Sequence, residues 1–180
     1  MRPFFSFFLS FFIFGCKNVF ASNCSFENDL VQLTWRVRND TINLNFVHKN
    51  FKNTKFTAIA FGNGPGMTNL EAIIFSNKNG SIVTRTGYTP KYGKVIYDES
   101  SYVQIPQLDY DGTILQVSIT RPLGSAGPRN FSLDQCIDWD IIPGSRKNLM
   151  KKHKKKHHGG AYKIKNVCAA QCTTSKFVTF

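Results

Sequence analysis

No acidic residue occurs after Asp140, although the chain continues for another forty residues. Aspartate and glutamate together number 11 against 23 lysines and arginines, for a formal charge of +12. The shortage is local. Between residues 22 and 145, eleven basic residues meet eleven acidic ones, whereas residues 146–165 hold nine basic residues and no acid. A neutral body with one cationic segment is not the charge pattern of a generally basic nucleic-acid-binding fold. Enzymatic signatures are missing too. There is no Gly-x-Ser-x-Gly elbow and no His-Glu-x-x-His pair. Asp98, Asp109 and Asp111 fall among turn residues, where aspartate bonds its own backbone, so they read as turn formers rather than a catalytic pair. The expectation is that this chain is not an enzyme. Nor is there a long apolar stretch: the longest, residues 4–14, has eleven residues, short of the roughly 20 that a spanning helix needs.

That stretch has another use. It follows Arg2, is broken only by Ser6 and Ser10, and leads to Val19-Phe20-Ala21. A basic start, a short apolar core and a small-residue cleavage site make a secretory signal over residues 1–21, so the protein is expected outside the cell. Cys16 leaves with the signal, and Cys24, Cys136, Cys168 and Cys172 remain. An even number of cysteines in an oxidising compartment implies two disulfides rather than a metal site. Three pairings exist. A Cys168–Cys172 bond would close a very short loop, which favours joining Cys24 to one of the late pair and Cys136 to the other. Four sequons permit N-glycosylation, at Asn23, Asn39, Asn79 and Asn130. Asn39 and Asn79 are the first choices, since Asn23 adjoins a disulfide.

The body reads as strands. Residues 30–38 and 42–46 alternate apolar and polar side chains across an Asn39-Asp40 turn, which is a half-buried hairpin. Residues 56–61 form a short buried run. Residues 70–75 and 81–86 flank Asn77-Lys78-Asn79-Gly80, a strong turn signal. Further strands are expected at 102–105, 114–120 and, last, 137–142. Short strands recurring about every ten residues, with no helical stripe, predict an all-β antiparallel sandwich of immunoglobulin-like type. It spans residues 22–145, with an irregular basic, disulfide-tethered segment over 146–180.

From residue 57 the chain resembles the DOMON family. The stretch Thr57-Ala58-Ile59-Ala60-Phe61-Gly62 is followed by Asn63-Gly64-Pro65-Gly66-Met67 and then Glu71-Ala72-Ile73-Ile74. This is similar to the family's strand, glycine-rich loop, methionine and acidic residue. Tyr92-Gly93, Asp98 and Ile119-Thr120-Arg121-Pro122-Leu123 match later landmarks in order. The chain departs from the pattern at Glu71, where the family usually has Asp.

The resemblance implies a module that binds haem or carbohydrate. Cytochrome members hold haem b through one Met and one His, and Met67 stands at the methionine position. A thioether is a soft ligand that favours ferrous iron, and the glycines before it would let backbone approach a flat porphyrin. The alternative is that Met67 only fills a gap in the core. Of the four histidines, His157 and His158 lie nearest the family's late axial position, with His153 in the same segment and His48 a poorer match. Their setting, Lys151-Lys152-His153-Lys154-Lys155-Lys156-His157-His158-Gly159-Gly160, reads as a solvated loop without the carboxylate or carbonyl that orients a ligating imidazole. Three functions therefore stand open: a secreted haem- or sugar-binding module with an extracellular ligand or protein partner; a one-domain b-type cytochrome; and an adhesive module holding anionic glycans or membranes through Lys151, Lys152, Lys154, Lys155 and Lys156.

Overall fold

The computed structural model describes residues 24–52, 56–91, 94–144 and 161–173. Eleven strands are described: β1 Ser25–Glu27, β2 Val31–Arg38, β3 Thr41–His48, β4 Phe56–Phe61, β5 Leu70–Lys78, β6 Ser81–Thr89, β7 Ile96–Tyr97, β8 Gln104–Tyr110, β9 Leu115–Pro122, β10 Ile137–Ile142 and β11 Tyr162–Val167. One 3-10 turn, Ala169–Gln171, follows them. A five-stranded sheet has the order β1-β2-β3-β9-β8, and a six-stranded sheet the order β11-β10-β4-β5-β6-β7. Every strand pair is antiparallel. The expected sandwich is the observed fold.

The period-two pattern fixes the packing. In β2, Val31, Leu33, Trp35 and Val37 are buried while Arg36 and Arg38 are exposed. In β9, Leu115, Val117 and Ile119 alternate with polar residues in the same way. The facing side of the six-stranded sheet supplies Ile59, Phe61, Ile73, Phe75, Trp139 and Ile141 to the same core. Aromatic contacts bridge the layers: Trp35 meets Trp139 at 4.8 Å between ring centroids, and Phe46 stacks on Phe75 at 5.8 Å. A one-residue slip of any of these strands would turn its whole apolar set to solvent. Tight turns close the hairpins, with Asn39, Asp40 and Asn79 at positive φ, a region where Asn and Asp are the usual non-glycine occupants.

Three elements depart from expectation. β1 and β7 have only three and two residues, too few to show a period. β11 lies inside the stretch expected to be irregular. It pairs with β10 through Asp140↔Lys163 and Ile141↔Tyr162, so β10 is not the last strand. Its sequence, Tyr-Lys-Ile-Lys-Asn-Val, puts lysines on the exposed alternate positions, which masked a strand as a charged tail. The disulfides join Cys24 to Cys172 and Cys136 to Cys168, as the loop argument favoured. Both anchor the C-terminal stretch, one to the start of the five-stranded sheet and one beside β10.

Candidate functional site

The six-stranded sheet is buried on both faces at its centre. Ile59, Phe61, Ile73 and Phe75 point into the sandwich, so their neighbours in β4 and β5 point away from it. There, Ala58, Ala60, Leu70, Ala72, Ile74 and Ile142 form a second apolar cluster, all at or below 5% exposure. The strand register lays it out as a grid. One row runs Ile142, Ala58, Ile74 across β10, β4 and β5, and the next runs Asp140, Ala60, Ala72. Strands lie about 4.8 Å apart, so the grid is about 10 Å wide. Alanine at three of its positions makes the centre flat. Phe56 and the half-buried Met67 pack against it. Met67 thus lies beside this buried apolar cluster, at the end of the loop between β4 and β5.

Two glycines of that loop are required by the loop itself. A Cβ on Gly64 would sit 1.7 Å from the carbonyl oxygen of Thr68, and one on Gly62 would meet the carbonyl of Asn69 at 2.8 Å. They permit the loop to fold on itself, which brings Met67 back over the sheet.

At the rim of the grid lies Asp140. It is 3% exposed, and its Oδ2 has no hydrogen-bond partner among the described residues. Lys163, its cross-strand neighbour on β11, comes no nearer than 3.7 Å to that oxygen and lies closer, at 3.3 Å, to Asp138. Burial raises the pKa of the Asp140 carboxyl, and Lys163 only partly offsets that.

His48 is excluded from this surface. It sits on β3 in the other sheet, 1% exposed and edge-on to Phe51. Its Nδ1 accepts from the backbone N–H of Asn50 at 3.2 Å, and its Nε2 faces the carbonyl of Pro143 at 2.9 Å. A backbone N–H can only donate and a carbonyl can only accept, so Nε2 carries the proton and the ring is neutral. Burial lowers its pKa accordingly. Both nitrogens are engaged, and neither is open to a metal. His153, His157, His158, Lys151, Lys152, Lys154, Lys155, Lys156, Tyr92, Gly93 and Asn23 lie outside the described residues.

A second constellation closes one end of the sandwich. Arg129, in the loop after β9, binds two buried carboxylates. Its Nε and Nη2 donate to the two oxygens of Glu71, the latter at 2.7 Å, and its Nη1 donates to Asp98 at 2.8 Å. The side chains of Glu71 and Asp98 are only 4% and 2% exposed. The guanidinium also lies over the ring of Tyr88 at 4.3 Å, and the Tyr102 hydroxyl donates to Glu71 at 3.3 Å. The carboxylates hold Arg129 protonated, and burial beside Glu71 raises the pKa of Tyr102. Arg121 faces inward from β9 and donates to the carbonyls of Pro122, Gly124 and Phe131. It thereby shapes the loop that presents Arg129. Asp98 is therefore not a turn former but half of a buried charge cluster. Asp109 lies within β8 and accepts from Gln107. Of the three acids only Asp111 forms a turn, accepting from the N–H groups of Thr113 and Ile114 at 2.7 Å each. Sequence reasoning missed Arg129 because nothing local marks it; Glu71, Asp98 and Arg121 were visible only as family landmarks.

Those landmarks converge in space, and comparison with known proteins agrees. The DOMON domain model matches residues 27–144. The chain belongs to the DOMON family. A DOMON domain-containing protein of Caenorhabditis briggsae is 48% identical over 172 residues, covering 95% of this chain and 90% of its own length. Another, of Caenorhabditis elegans, is 49% identical over 154 residues, covering 85% and 84%. Among solved structures, the fold is shared by the cytochrome b domain of pyranose dehydrogenase from Coprinopsis cinerea (TM-score 0.57, 10% identity, 84% of each chain). It is shared as well by the cytochrome domain of Myriococcum thermophilum cellobiose dehydrogenase (TM-score 0.51, 13% identity, 84% of this chain and 89% of that one). The two disulfides of this DOMON chain suit an oxidising, extracellular compartment. Among the described residues no helix is long and apolar enough to cross a membrane.

Proposed function

We propose that this DOMON protein is a secreted, non-catalytic haem-binding module, with Met67 as one axial ligand. The observation that carries this reading is the alanine-rich apolar cluster of Ala58, Ala60 and Ala72 buried on the outer face of the six-stranded sheet, with Met67 packed against it. A porphyrin is a planar apolar group with a polar rim. A floor of methyl groups buries such a plane without a side chain standing in its way, and a thioether at the edge supplies a soft donor. Haem, when bound, supplies one-electron redox chemistry; the chain's own residues bury it and exclude water. Two fold-mates that are cytochrome domains by name support the choice of ligand class. The sequence candidates for a second haem ligand, His157 and His158, lie outside the described residues, and His48 is engaged by Asn50 and Pro143. The exposed sequons Asn39, Asn79 and Asn130 carry glycans in this reading. The test is expression of the full chain with a haem supply. A Soret band that is lost in Met67→Ala supports the reading, and a colourless unsubstituted protein overturns it.

A second reading, a carbohydrate-binding module, rests on a separate cleft of about 290 Å³ beside β6 and β7. Thr84, Thr86, Ser101, Asp98, Glu99 and Arg85 line it together with the exposed ring of Tyr97. Thr86 is 1% exposed and its hydroxyl has no partner among the described residues, so it has hydrogen-bonding capacity to offer a hydroxylated ligand. Glycan-array binding lost in Thr86→Val would favour this reading, and an array without signal would remove it.

A further inference from the structure

The hairpin between β5 and β6 turns on Asn79-Gly80, one of two Asn-Gly steps in the chain, the other being Asn63-Gly64. Both turn residues have positive φ, 53° and 91°, the backbone that Asn-Gly supplies in a two-residue turn. Both are exposed, and a Cβ built on Gly80 would meet no heavy atom of the described residues within 4 Å. An Asn-Gly step carries a reactive pair. The amide carbon of the asparagine side chain is an electrophile. The backbone nitrogen of the next residue is a nucleophile once it has lost its proton, and glycine has no side chain to shield it. In this hairpin that proton is held. The Gly80 N–H donates to Oδ1 of Asn77 at 2.9 Å. Nδ2 of Asn77 in turn donates to the Tyr110 hydroxyl at 3.2 Å, on β8 of the other sheet. The acceptor is thus fixed from outside the turn.

We propose that Asn79 is a deamidation site and that the Asn77 side chain sets its rate by holding the proton of Gly80. Base removes that proton, and the Gly80 nitrogen attacks Cγ of Asn79. A C–N bond forms to close a succinimide, the bond from Cγ to Nδ2 breaks, and Nδ2 leaves as ammonia with a proton returned by water. Water then opens the ring at either carbonyl, leaving aspartate or isoaspartate. Nothing is oxidised or reduced, and the only co-reactants are water and hydroxide. A hydrogen-bonded N–H gives up its proton when the bond opens, as in amide hydrogen exchange, and one bond of ordinary net worth lowers the open population about fivefold. The same atom has a second fate. Asn79-Gly80-Ser81 is a sequon, and a glycan would be attached to the nitrogen that deamidation expels, so the two modifications exclude each other. Isoaspartate also lengthens the backbone within the turn that sets the register of β5 on β6.

The experiment uses the full disulfide-bonded chain, made in the bacterial periplasm so that no glycan occupies Asn79. Ammonia loss is followed at mildly alkaline pH by peptide mass mapping, isoaspartate is scored with an isoaspartyl methyltransferase, and Asn63-Gly64 serves as the internal reference. Asn77→Ala should speed the loss at Asn79 about fivefold relative to that reference. Asn77→Asp, which keeps an acceptor oxygen, should stay at the parent rate. Equal rates in the parent and Asn77→Ala, or no loss from either, overturn the proposal. So does equal acceleration in Asn77→Asp, which would place the effect in the stability of the hairpin and not in the hydrogen bond. Should Asn77→Ala not fold, the parent decides: ammonia loss at Asn79 with Gly80 amide exchange slowed about fivefold or more against an unstructured Asn-Gly peptide supports the proposal, and exchange at the peptide's rate overturns it.

Discussion

Arg129 holds Glu71 in a two-pronged grip, with Nη2 2.7 Å from Oε2 and Nε on the other oxygen, and the same guanidinium reaches Asp98 at 2.8 Å. A single cation is therefore shared by two carboxylates that are almost wholly buried. The planar fork of arginine suits this task, because it can address two carboxylates along different edges at once, which an ammonium cannot. Both oxygens of Glu71 are used, one for each prong.

Arg129→Met should accordingly destabilise the fold by about 3–5 kcal/mol, the range for stripping the partner from buried charges. Arg129→Lys should recover only part of that loss. Urea denaturation midpoints at neutral pH provide the measurement. A loss below about 1 kcal/mol, typical of an exposed pair, would show that the cluster does not anchor this end of the sandwich.

The two disulfides should differ in worth. Cys24–Cys172 spans 148 residues of sequence and Cys136–Cys168 spans 32. On the chain-entropy argument the longer loop contributes about 5 kcal/mol and the shorter about 4. Replacing Cys24 and Cys172 with serine should therefore cost about 1 kcal/mol more than replacing Cys136 and Cys168. Equilibrium unfolding of the two double variants decides, and the reverse order would contradict the loop-length account.

The sandwich was readable in the sequence wherever a strand is half buried and long enough to alternate, as β2, β3 and β9 are. β11 was not, because its lysines on alternate positions look like the charge run that precedes them. The alanine floor was hidden for a different reason. β4 is buried on both faces, so Ala58 and Ala60 read as part of a continuous apolar run, and only the register reveals that they share a face with Ala72 and Ile74. Met67 was visible through family resemblance, and Asp140 not at all: that it is buried with no hydrogen-bond partner for Oδ2 among the described residues is a matter of three dimensions, which no sequence displays. The Asp98 reading failed because turn chemistry is local, whereas its partner Arg129 is 31 residues away.

The haem-free protein allows a direct test of the cost of Asp140. Burial raises its folded-state pKa above the ordinary 3.8. A raised carboxyl contributes stability that is fully present below the unfolded value and is lost as pH rises through the folded one. At neutral pH the charged carboxylate, only partly offset by Lys163, thus opposes folding. Asp140→Asn should raise stability at pH 7 by about 1 kcal/mol, and the advantage should disappear below the ordinary carboxyl pKa, where aspartate is neutral in both states. Thermal melts of apo-protein across this range give the answer, and a destabilised variant at pH 7 would mean that Oδ2 has a partner after all.

His48 should impose the opposite pH dependence over a different window. The neutral ring is fixed between a donor, the Asn50 N–H, and an acceptor, the Pro143 carbonyl. Protonating Nδ1 destroys the first bond and places a charge in a buried site beside Phe51. The folded-state pKa is therefore lowered from 6.5, with burial as the leading cause. Such a group contributes stability that is present above 6.5 and is lost as pH falls from there through the folded value, since the unfolded chain takes up the proton first. His48→Gln removes the titration but loses the fit of the ring between its two partners. Its stability should lie about 1–2 kcal/mol below the parent at pH 7.5, and the gap should narrow steadily between pH 6.5 and 5. Paired urea midpoints across that interval test the sign, with the His48 ring resonance followed by NMR as an independent check. A gap that stays constant, or a resonance that titrates at or above 6.5, would mean that the ring is not held neutral by the Asn50 and Pro143 contacts.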